Sequence, residues 1–448
     1  MRFPRFVIYP GFGFTLASVL CLSACSAPNS SPDADTAATS TPRTPADSAE
    51  LPDESAAKDL GATPELLAQL EGAGITQNER GEITALKLSN PTPELLQTAV
   101  AIPTLVKLSL YGQSIDDDSL AVIAQAAGLK ELNFEKAAFT DEGLAQLKRL
   151  PQLKSIDLKL TAFSDAGAVH LAEIPSLRYF KGVRTAITDQ GLEILARNPN
   201  WVVMDLRDTP VSDAGLATLA QLKALKLLKV TSHRITDAGL AHLTGMPELK
   251  ILGLDYTAVS DDAMKAAASM PKLEELYLYT TKVGDAGLAA LADAENLKVL
   301  RLRSTSVTSD GFSEVVGLDQ LRDLDVSETG IGNRAMPHIK QLKGLKRLNL
   351  WLTMVGDDSA EDLAAMKQLE WLNLDKTRVT DETIKQLAGL ENLRWLHLGS
   401  NRKLTDAIVE PLSQLKQLEY LNLTYCRKIS DDAKQQLRDA LPNTEIEF

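Results

Sequence analysis

From residue 83 to the end of the chain, apolar and polar positions follow a unit that recurs about every 24 residues. The copy at 153–176 reads LKSIDLKLTAFSDAGAVHLAEIPS, and the copy at 249–272 reads LKILGLDYTAVSDDAMKAAASMPK. The leading LxxLxL segment alternates at period two, which predicts a short strand with inward leucines. The following Ser/Thr-Asp-x-Gly-Leu segment predicts a helix start, because its oxygens can accept free backbone N–H groups there. Each unit is therefore predicted to be a strand, a turn and a helix.

One polar position marks every unit, and we call it the aspartate column. Its members are Asp117, Asp141, Asp165, Asp189, Asp213, Asp237, Asp261, Asp285, Ser309, Asn333, Asp357, Asp381, Asp406 and Asp431. These units resemble the leucine-rich repeat family, most closely its cysteine-containing subtype, with Thr mostly replacing that cysteine and Cys426 keeping it. The resemblance implies an α/β leucine-rich repeat solenoid, a horseshoe with a parallel β-sheet on the concave face and short helices on the convex face. Such units must stack to bury their leucines.

Three repeated residue types have structural interpretations. We predict that the aspartate column caps helices and holds no metal, because the Gly-rich nonapeptides of calcium solenoids are absent. The buried threonines are expected to satisfy backbone groups of the turns. The repeated glycines are expected to let helices pack closely on strands, and they are Gly143, Gly167, Gly191, Gly215 and Gly239.

The N-terminal segment has the pattern of a targeting signal rather than that of a folded domain. Residues 1–24 combine a basic start with an apolar stretch and have the pattern of a signal peptide. Their end, Leu22-Ser23-Ala24-Cys25, resembles a bacterial lipobox, which implies lipid attachment to Cys25. Ser26 after that cysteine favours the outer membrane by the same resemblance. An ordinary secretory signal and an uncleaved anchor are the alternatives, and Pro10 disfavours the anchor.

Composition divides the remainder of the chain. Residues 25–58 are rich in Ser, Thr, Pro, Ala and Asp and lack aromatics, which predicts a disordered tether. Residues 59–82 are predicted to form an N-terminal cap, with a short helix and a hairpin turning at residues 78–81. Residues 83–448 form the repeat domain, in which Ile446 and Phe448 occupy the leucine positions of a final capping strand.

Charge and motif content restrict the functional classes. The net charge is −13, which disfavours a nucleic-acid partner. The three facing columns of the strands, counted from 105 onward, hold eight basic and nine acidic residues. The concave face is therefore nearly neutral. No CxxC or HExxH motif occurs, and we expect neither a metal nor a cofactor.

Aromatic residues concentrate on the predicted concave face. The third, fifth and seventh positions of LxxLxLxxT face it, and all seven tyrosines after residue 25 fall on facing or rim positions. Three of the four tryptophans do so on consecutive rungs, and we expect them to form one stacked ladder beside an amide ladder. The predicted ligand-binding residues are Arg301, Arg303, Arg347, Trp351, Trp371, Asp375, Trp395, His397 and Tyr420. A purely structural ladder is the alternative.

The sequence thus predicts a lipid-anchored, non-enzymatic recognition module of the bacterial cell envelope, expected to be a monomer. Its concave face would bind a protein, a peptide or an envelope glycan. A structural or self-assembling envelope protein is one alternative. An enzyme with a hidden concave-face site is another, although no nucleophile with a base and an orienting group is evident. The membrane contact would be through the lipid anchor only.

Overall fold

The structure, a computed structural model, describes residues 64–315 and 317–448. The predicted signal peptide (1–24), the predicted lipid-attachment residue Cys25, the predicted tether (25–58) and the first residues of the predicted cap (59–63) lie outside the described residues. Within the described ranges, no helix combines the length and apolarity needed to cross a bilayer.

One sheet of seventeen strands runs through the described residues. Strands β1 and β2 form an antiparallel hairpin, and from β2 onward each strand pairs in parallel with the next one in the chain. The strands are β1 (Gly74–Gln77), β2 (Ile83–Ser89), β3 (Lys107–Tyr111), β4 (Glu131–Glu135), β5 (Ser155–Lys159), β6 (Tyr179–Lys181), β7 (Val203–Arg207), β8 (Leu227–Thr231), β9 (Ile251–Gly253), β10 (Glu275–Tyr277), β11 (Val299–Arg301), β12 (Asp323–Asp325), β13 (Arg347–Asn349), β14 (Trp371–Asn373), β15 (Trp395–His397), β16 (Tyr420–Asn422) and β17 (Glu445–Glu447).

A short helical segment follows most strands and covers the sheet from one side. The α-helices are α1 (Pro64–Gln69), α2 (Pro93–Val100), α3 (Asp117–Ile123), α4 (Asp165–Ala172), α5 (Asp189–Leu195), α6 (Asp213–Leu219), α7 (Asp237–Ala241), α8 (Asp261–Ala268), α9 (Asp285–Ala290), α10 (Met336–Ile339), α11 (Ala360–Ala364), α12 (Asp381–Leu387), α13 (Val409–Ser413) and α14 (Asp431–Ala440). The 3₁₀ segments are Gly143–Arg149, Leu291–Asp293, Asp310–Glu314, Asn333–Ala335, Asp357–Ser359 and Asp406–Ile408.

The core lies between the strands and the helices as one continuous column of leucines. In β14 and its neighbours the in-register leucines Leu348, Leu372 and Leu396 are fully buried. The predicted threonines do satisfy the turns: Thr353 Oγ1, for example, donates to the Leu350 carbonyl at 2.7 Å. The side of the sheet opposite the helices carries the third, fifth and seventh positions, and we call it the open face.

The aspartate column does not cap its own helices, which corrects the prediction. The N-cap hydroxyl does that, as where Ser212 accepts the Ala214 N–H. The carboxylate instead reaches the next rung: Asp213 accepts the backbone N–H of Thr236 at 2.7 Å and its hydroxyl at 2.6 Å. The same pattern recurs from Asp117 to Asp406 wherever the next rung offers Ser or Thr.

The repeated glycines make room for these carboxylates rather than only for helix packing. A Cβ added at Gly215 would lie 2.5 Å from Asp189 Oδ1, and one added at Gly239 would lie 2.2 Å from Asp213 Oδ1. Such separations are impossible without movement of the carboxylate. Aspartate, hydroxyl and glycine therefore form one inter-rung contact.

A second repeated feature was not predicted. The eighth position of most units, directly after the open-face residues, has a left-handed backbone with φ between 54° and 62°. Its occupants are mostly not glycine, and Leu352, Lys376, Ser400 and Tyr425 are the last four. This turn directs the chain away from the sheet at a constant place, so the eighth position defines the rim of the open face.

We expect Asp213→Ala to lower the free energy of unfolding by about 1–3 kcal/mol, because Thr236 loses the acceptor of two partly buried donors. Denaturant unfolding measures the effect. Asp262→Ala is the matched control, since Asp262 is an exposed first-turn carboxylate outside the aspartate column. Equal losses in the two variants would show that helix-end charge, and not the inter-rung contact, is what the column supplies.

Candidate functional site

The nine predicted binding residues all lie on the open face of the rungs of β11 and β13–β16. Seven of them fall in two groups of contacts: Arg303 with Tyr279, Trp351 and Glu328, and Asp323 with Arg301, Arg347, Trp371, His397 and Tyr420. We call these ten residues, together with Asp375 and Trp395 beside them, the C-terminal cluster. Trp395 lies in register between Trp371 and Tyr420, but no ring or cation–π contact joins it to another described residue.

Arg303 links two rings that are three rungs apart. Its guanidinium carbon lies 4.8 Å from the ring centre of Tyr279 and 4.7 Å from that of Trp351. Ser327 occupies the intervening seventh position and is small enough to let the arginine cross. Glu328 Oε2 accepts from Arg303 Nε at 2.8 Å. The arginine is therefore held by stacking on both faces and by an ion pair at its edge.

Arg347 and Arg301 share one carboxylate. Asp323 Oδ2 accepts from Arg301 Nη2 at 2.6 Å and from Arg347 Nε at 3.2 Å. Burial raises the pKa of Asp323, although both arginines act in the opposite direction. Arg347 also stacks on Trp371 at 4.7 Å. The cations predicted from the sequence are thus largely neutralised inside the cluster.

The aromatic rings do not form the single straight ladder that we expected. Trp371 contacts His397 at 5.1 Å between ring centres, and His397 contacts Tyr420 at 5.1 Å. This row runs diagonally, because His397 occupies the fifth position whereas Trp371 and Tyr420 occupy the third. His397 is 4% exposed, and burial with the nearby Arg347 lowers its pKa to about 4. At neutral pH a neutral imidazole therefore packs between the two larger rings.

The fifth-position asparagines do not form the expected amide ladder. Asn349 Oδ1 accepts the N–H of Trp351, Asn373 Oδ1 that of Asp375, and Asn422 Oδ1 that of Thr424. Each oxygen thus bonds its own chain two residues onward. This local contact fixes the seventh-position backbone, which is where Trp351 and Asp375 present their side chains.

Gly399 leaves a notch in the open face beside His397. A Cβ there would lie 3.0 Å from Asn422 Oδ1, 3.0 Å from Thr424 Oγ1 and 3.2 Å from Asp375 Oδ1. Burial raises the pKa of Asp375 to about 7, although the Gly399 N–H that it accepts acts to lower it. Asn422 Oδ1 already accepts the N–H and the hydroxyl of Thr424. Thr424 Oγ1 and the Asp375 carboxylate are therefore the acceptors that the notch offers to hydroxyl or amine groups of a ligand.

Sequence reasoning missed Tyr279, Glu328, Lys376 and Gly399 as members of this region. Lys376 lies 5.5 Å from the ring centre of Trp351. The notch could have been predicted from the sequence, because Gly399 occupies a column in which the other rungs carry side chains. The contact of Arg303 across a rung could not have been predicted, because repeat spacing does not determine a side-chain rotamer. Within the described residues, no group of three or more His, Cys, Asp or Glu side chains is placed to hold a metal ion.

Comparisons with known proteins agree with this geometry. Residues 279–446 match a family model described as a leucine-rich repeat region. Among solved structures, mouse RP105 in its complex with MD-1 has 18% identity and a TM-score of 0.54, over 77% of this chain and 62% of that one. A Leptospira interrogans leucine-rich repeat protein has 17% identity and a TM-score of 0.48, over 81% and 100%.

A Listeria monocytogenes internalin has 19% identity and a TM-score of 0.46, over 74% of this chain and 92% of that one. No curated protein matches the sequence. Together with the repeating strand and helix order, the family-model match and the likeness to mouse RP105 confirm the predicted fold class, a leucine-rich repeat solenoid. The fold class by itself leaves both the role and the partner open.

We expect the stability gained by Asp375→Asn to grow as the pH rises from about 4 to about 7. The pKa of Asp375 is about 7 in the folded chain against an ordinary 3.8, so folding favours its protonated form and ionisation costs stability over that window. Asparagine cannot ionise, yet its oxygen can still accept the Gly399 N–H. Unfolding midpoints of both proteins across the window measure the difference.

The lowered pKa of His397 has the opposite effect on the pH dependence of stability. Folding favours the neutral imidazole, so the stability of the chain falls as the pH drops below the ordinary pKa of 6.5. That contribution is common to both proteins and cancels in their difference. Asp262→Asn, at an exposed carboxylate, is the control and should show no such trend. A pH-independent difference for Asp375→Asn would mean that Asp375 is already ionised throughout.

Proposed function

We propose that the chain is a non-enzymatic recognition module, held at the bacterial cell envelope by a lipid on Cys25, whose open face binds a protein, a peptide or an envelope glycan. The observation that carries the proposal is the C-terminal cluster. Most of its members are the residue types enriched in binding hot spots, namely Trp, Tyr and Arg. They stand on the strands or on the residues shortly after them, so a partner would meet side chains on an ordered backbone.

The solvent exposure of the aromatic rings in the cluster favours binding over a purely structural ladder. Trp351, Trp371, Trp395 and Tyr420 are all partly exposed, while the leucines beside them in the strands are fully buried. Trp395 is the clearest case, because it makes no ring contact within the described residues that would explain it as packing. Rings kept partly in water are available to a partner, whereas core rings such as Trp201 are enclosed.

The chemistry of the described residues supports a binding role more than a catalytic one. Cys426 is buried, donates to the Leu398 carbonyl, and has a pKa raised to about 11 by burial. Such a thiol is a poor nucleophile at neutral pH. His397 is held neutral among aromatic rings and Asp375 bonds a backbone N–H, so neither is arranged to activate a nucleophile.

The outer strands of the described sheet favour a monomer over an assembling spacer. Within the described residues β17 is one edge of the sheet, and its Glu445 and Glu447 are exposed. Charges on an edge oppose the addition of another strand. Phe448 packs under Arg438 at 4.8 Å and covers the last rung. At the other end, the antiparallel β1 closes the parallel sheet.

We expect Trp395→Ala to abolish most partner binding with little loss of stability, and Leu396→Ala to do the reverse. The tryptophan projects from the open face, so its removal should cost about 2 kcal/mol of affinity. Leu396 is fully buried in the core, so its removal should cost about 2–5 kcal/mol of stability. Melting temperature and capture of partners from envelope extracts measure the two effects.

Trp371→Ala and Leu372→Ala form a second matched pair. Trp371 also stacks on Arg347 and His397, so its removal should destabilise the chain more than Trp395→Ala does. If both tryptophan variants melt as early as the leucine variants and still capture the partner, the aromatics are structural and the binding site lies elsewhere.

The anchor has its own test. We expect cells expressing the full chain to incorporate labelled fatty acid into it and Cys25→Ser to abolish incorporation, since the thiol is the only attachment atom that the lipobox resemblance assigns. Cys426→Ser, at the buried thiol, is the control and should remain labelled. Unchanged labelling of Cys25→Ser would refute lipidation at this position.

A further inference from the structure

The last two complete repeats differ from the others in a way that changes the rim. They are 25 residues long, and their turns read NRKLTD and CRKISD where earlier turns, such as those at 161–165 and 257–261, have one residue fewer. The longer turn carries Arg402 and Lys403 in one repeat and Arg427 and Lys428 in the next. Lys376 and Arg378 occupy the preceding turn. We call these six side chains the basic rim.

No other stretch of the rim has such a charge. The turns between residues 136 and 356 contain at most one Lys or Arg each. Two of these side chains already have partners, since Lys136 donates to the Tyr111 hydroxyl and Arg184 pairs with Asp208. The basic rim contains no carboxylate between residues 376 and 380, 400 and 405, or 425 and 430.

Five of the six cations of the basic rim are also without an ion-pair partner. Within residues 64–315 and 317–448, no ion pair involves Arg378, Arg402, Lys403, Arg427 or Lys428, and all five are exposed. Of the aspartates that end these three turns, Asp381 and Asp406 accept from the hydroxyls of Thr405 and Ser430, and Asp431 pairs with Lys434. In a chain whose net charge is −13, five unpaired cations on three adjacent turns form a strongly localised positive surface.

Apolar groups are interleaved with the charges. Tyr425 is 72% exposed, and Leu352 and Met354 are 44% and 45% exposed. Tyr425 and Leu352 line a groove of about 430 Å³ together with Lys376, Thr377, Ser400, Arg402 and Arg427. The groove thus offers cationic and apolar contacts side by side.

We propose that the basic rim is a docking site for an acidic polypeptide segment in which carboxylates alternate with apolar side chains. Charge complementarity supplies the carboxylates, and the exposed Tyr425, Leu352 and Met354 supply contacts that only apolar side chains would use. A nucleic acid is disfavoured because its dense phosphates would meet the acidic remainder of the chain. The site is formed by turns and stands whether or not the C-terminal cluster binds a ligand.

The test uses the full chain and a fluorescein-labelled synthetic peptide in which glutamates are interrupted regularly by leucine and tyrosine. Binding is measured by fluorescence anisotropy. Arg402→Glu with Arg427→Glu should raise the dissociation constant at least about tenfold, because two attractive charges become repulsive. Lys282→Glu is the matched control, since Lys282 is an exposed cation of an earlier rim turn, and it should change binding less than about twofold.

Two further probes identify what is recognised. Replacing the glutamates by glutamine, or the leucine and tyrosine by serine, should each weaken binding to the wild-type chain. Trp371→Ala should leave peptide binding intact, which separates this site from the C-terminal cluster. Unchanged binding by the Arg402/Arg427 variant, equal loss in Lys282→Glu, or tighter binding of a single-stranded oligonucleotide of matched charge would each overturn the proposal.

Discussion

The contact between the aspartate column and the residue that caps the helical segment of the next rung is a constraint on which this solenoid depends. Asp213 holds both the N–H and the hydroxyl of Thr236, and Gly239 leaves the space that the carboxylate needs. Leucine packing is non-directional, and the hydrogen bonds of the parallel sheet align the rungs only on the strand side. From Asp117 to Asp406 the column adds one directed hydrogen bond, and in most units two, on the helix side. In a repeat protein, whose units contact only their neighbours, a rule obeyed at each step determines the whole stack.

Register on the open face follows from the parallel strand pairing, which these contacts support from the helix side. Once successive rungs are aligned, residues 24 or 25 apart become direct neighbours, as Arg347, Trp371, Trp395 and Tyr420 do in the sheet. None of these side chains contributes to the leucine column. The open face can therefore carry rings, cations or carboxylates without a cost to the core, and the left-handed turn at the eighth position separates it from the rim.

Periodicity was sufficient to predict which residues share a column, but not how their side chains are arranged. Strand positions, the threonine contacts and the neighbouring rungs of the cluster could be predicted, because each depends only on backbone spacing. The direction of the aspartates, the diagonal row through His397 and the reach of Arg303 over Ser327 could not, because each depends on a rotamer. The asparagine amides show the same limit: they align as a column, yet bond their own chain.

The longer repeats show how the solenoid can change its surface without changing its core. Although each of the last two complete units has one more residue, Tyr420 still pairs in register with Trp395 and Glu445 with Tyr420. Asp381 and Asp406 still hold the hydroxyls of the following rungs. The additional residue is therefore absorbed at the exposed Arg-Lys pair of each turn, while Leu404 and Ile429, directly after these pairs, stay buried in the core. Because both longer turns contain Arg-Lys, the rim gains positive charge at the turn that accommodates the additional residue.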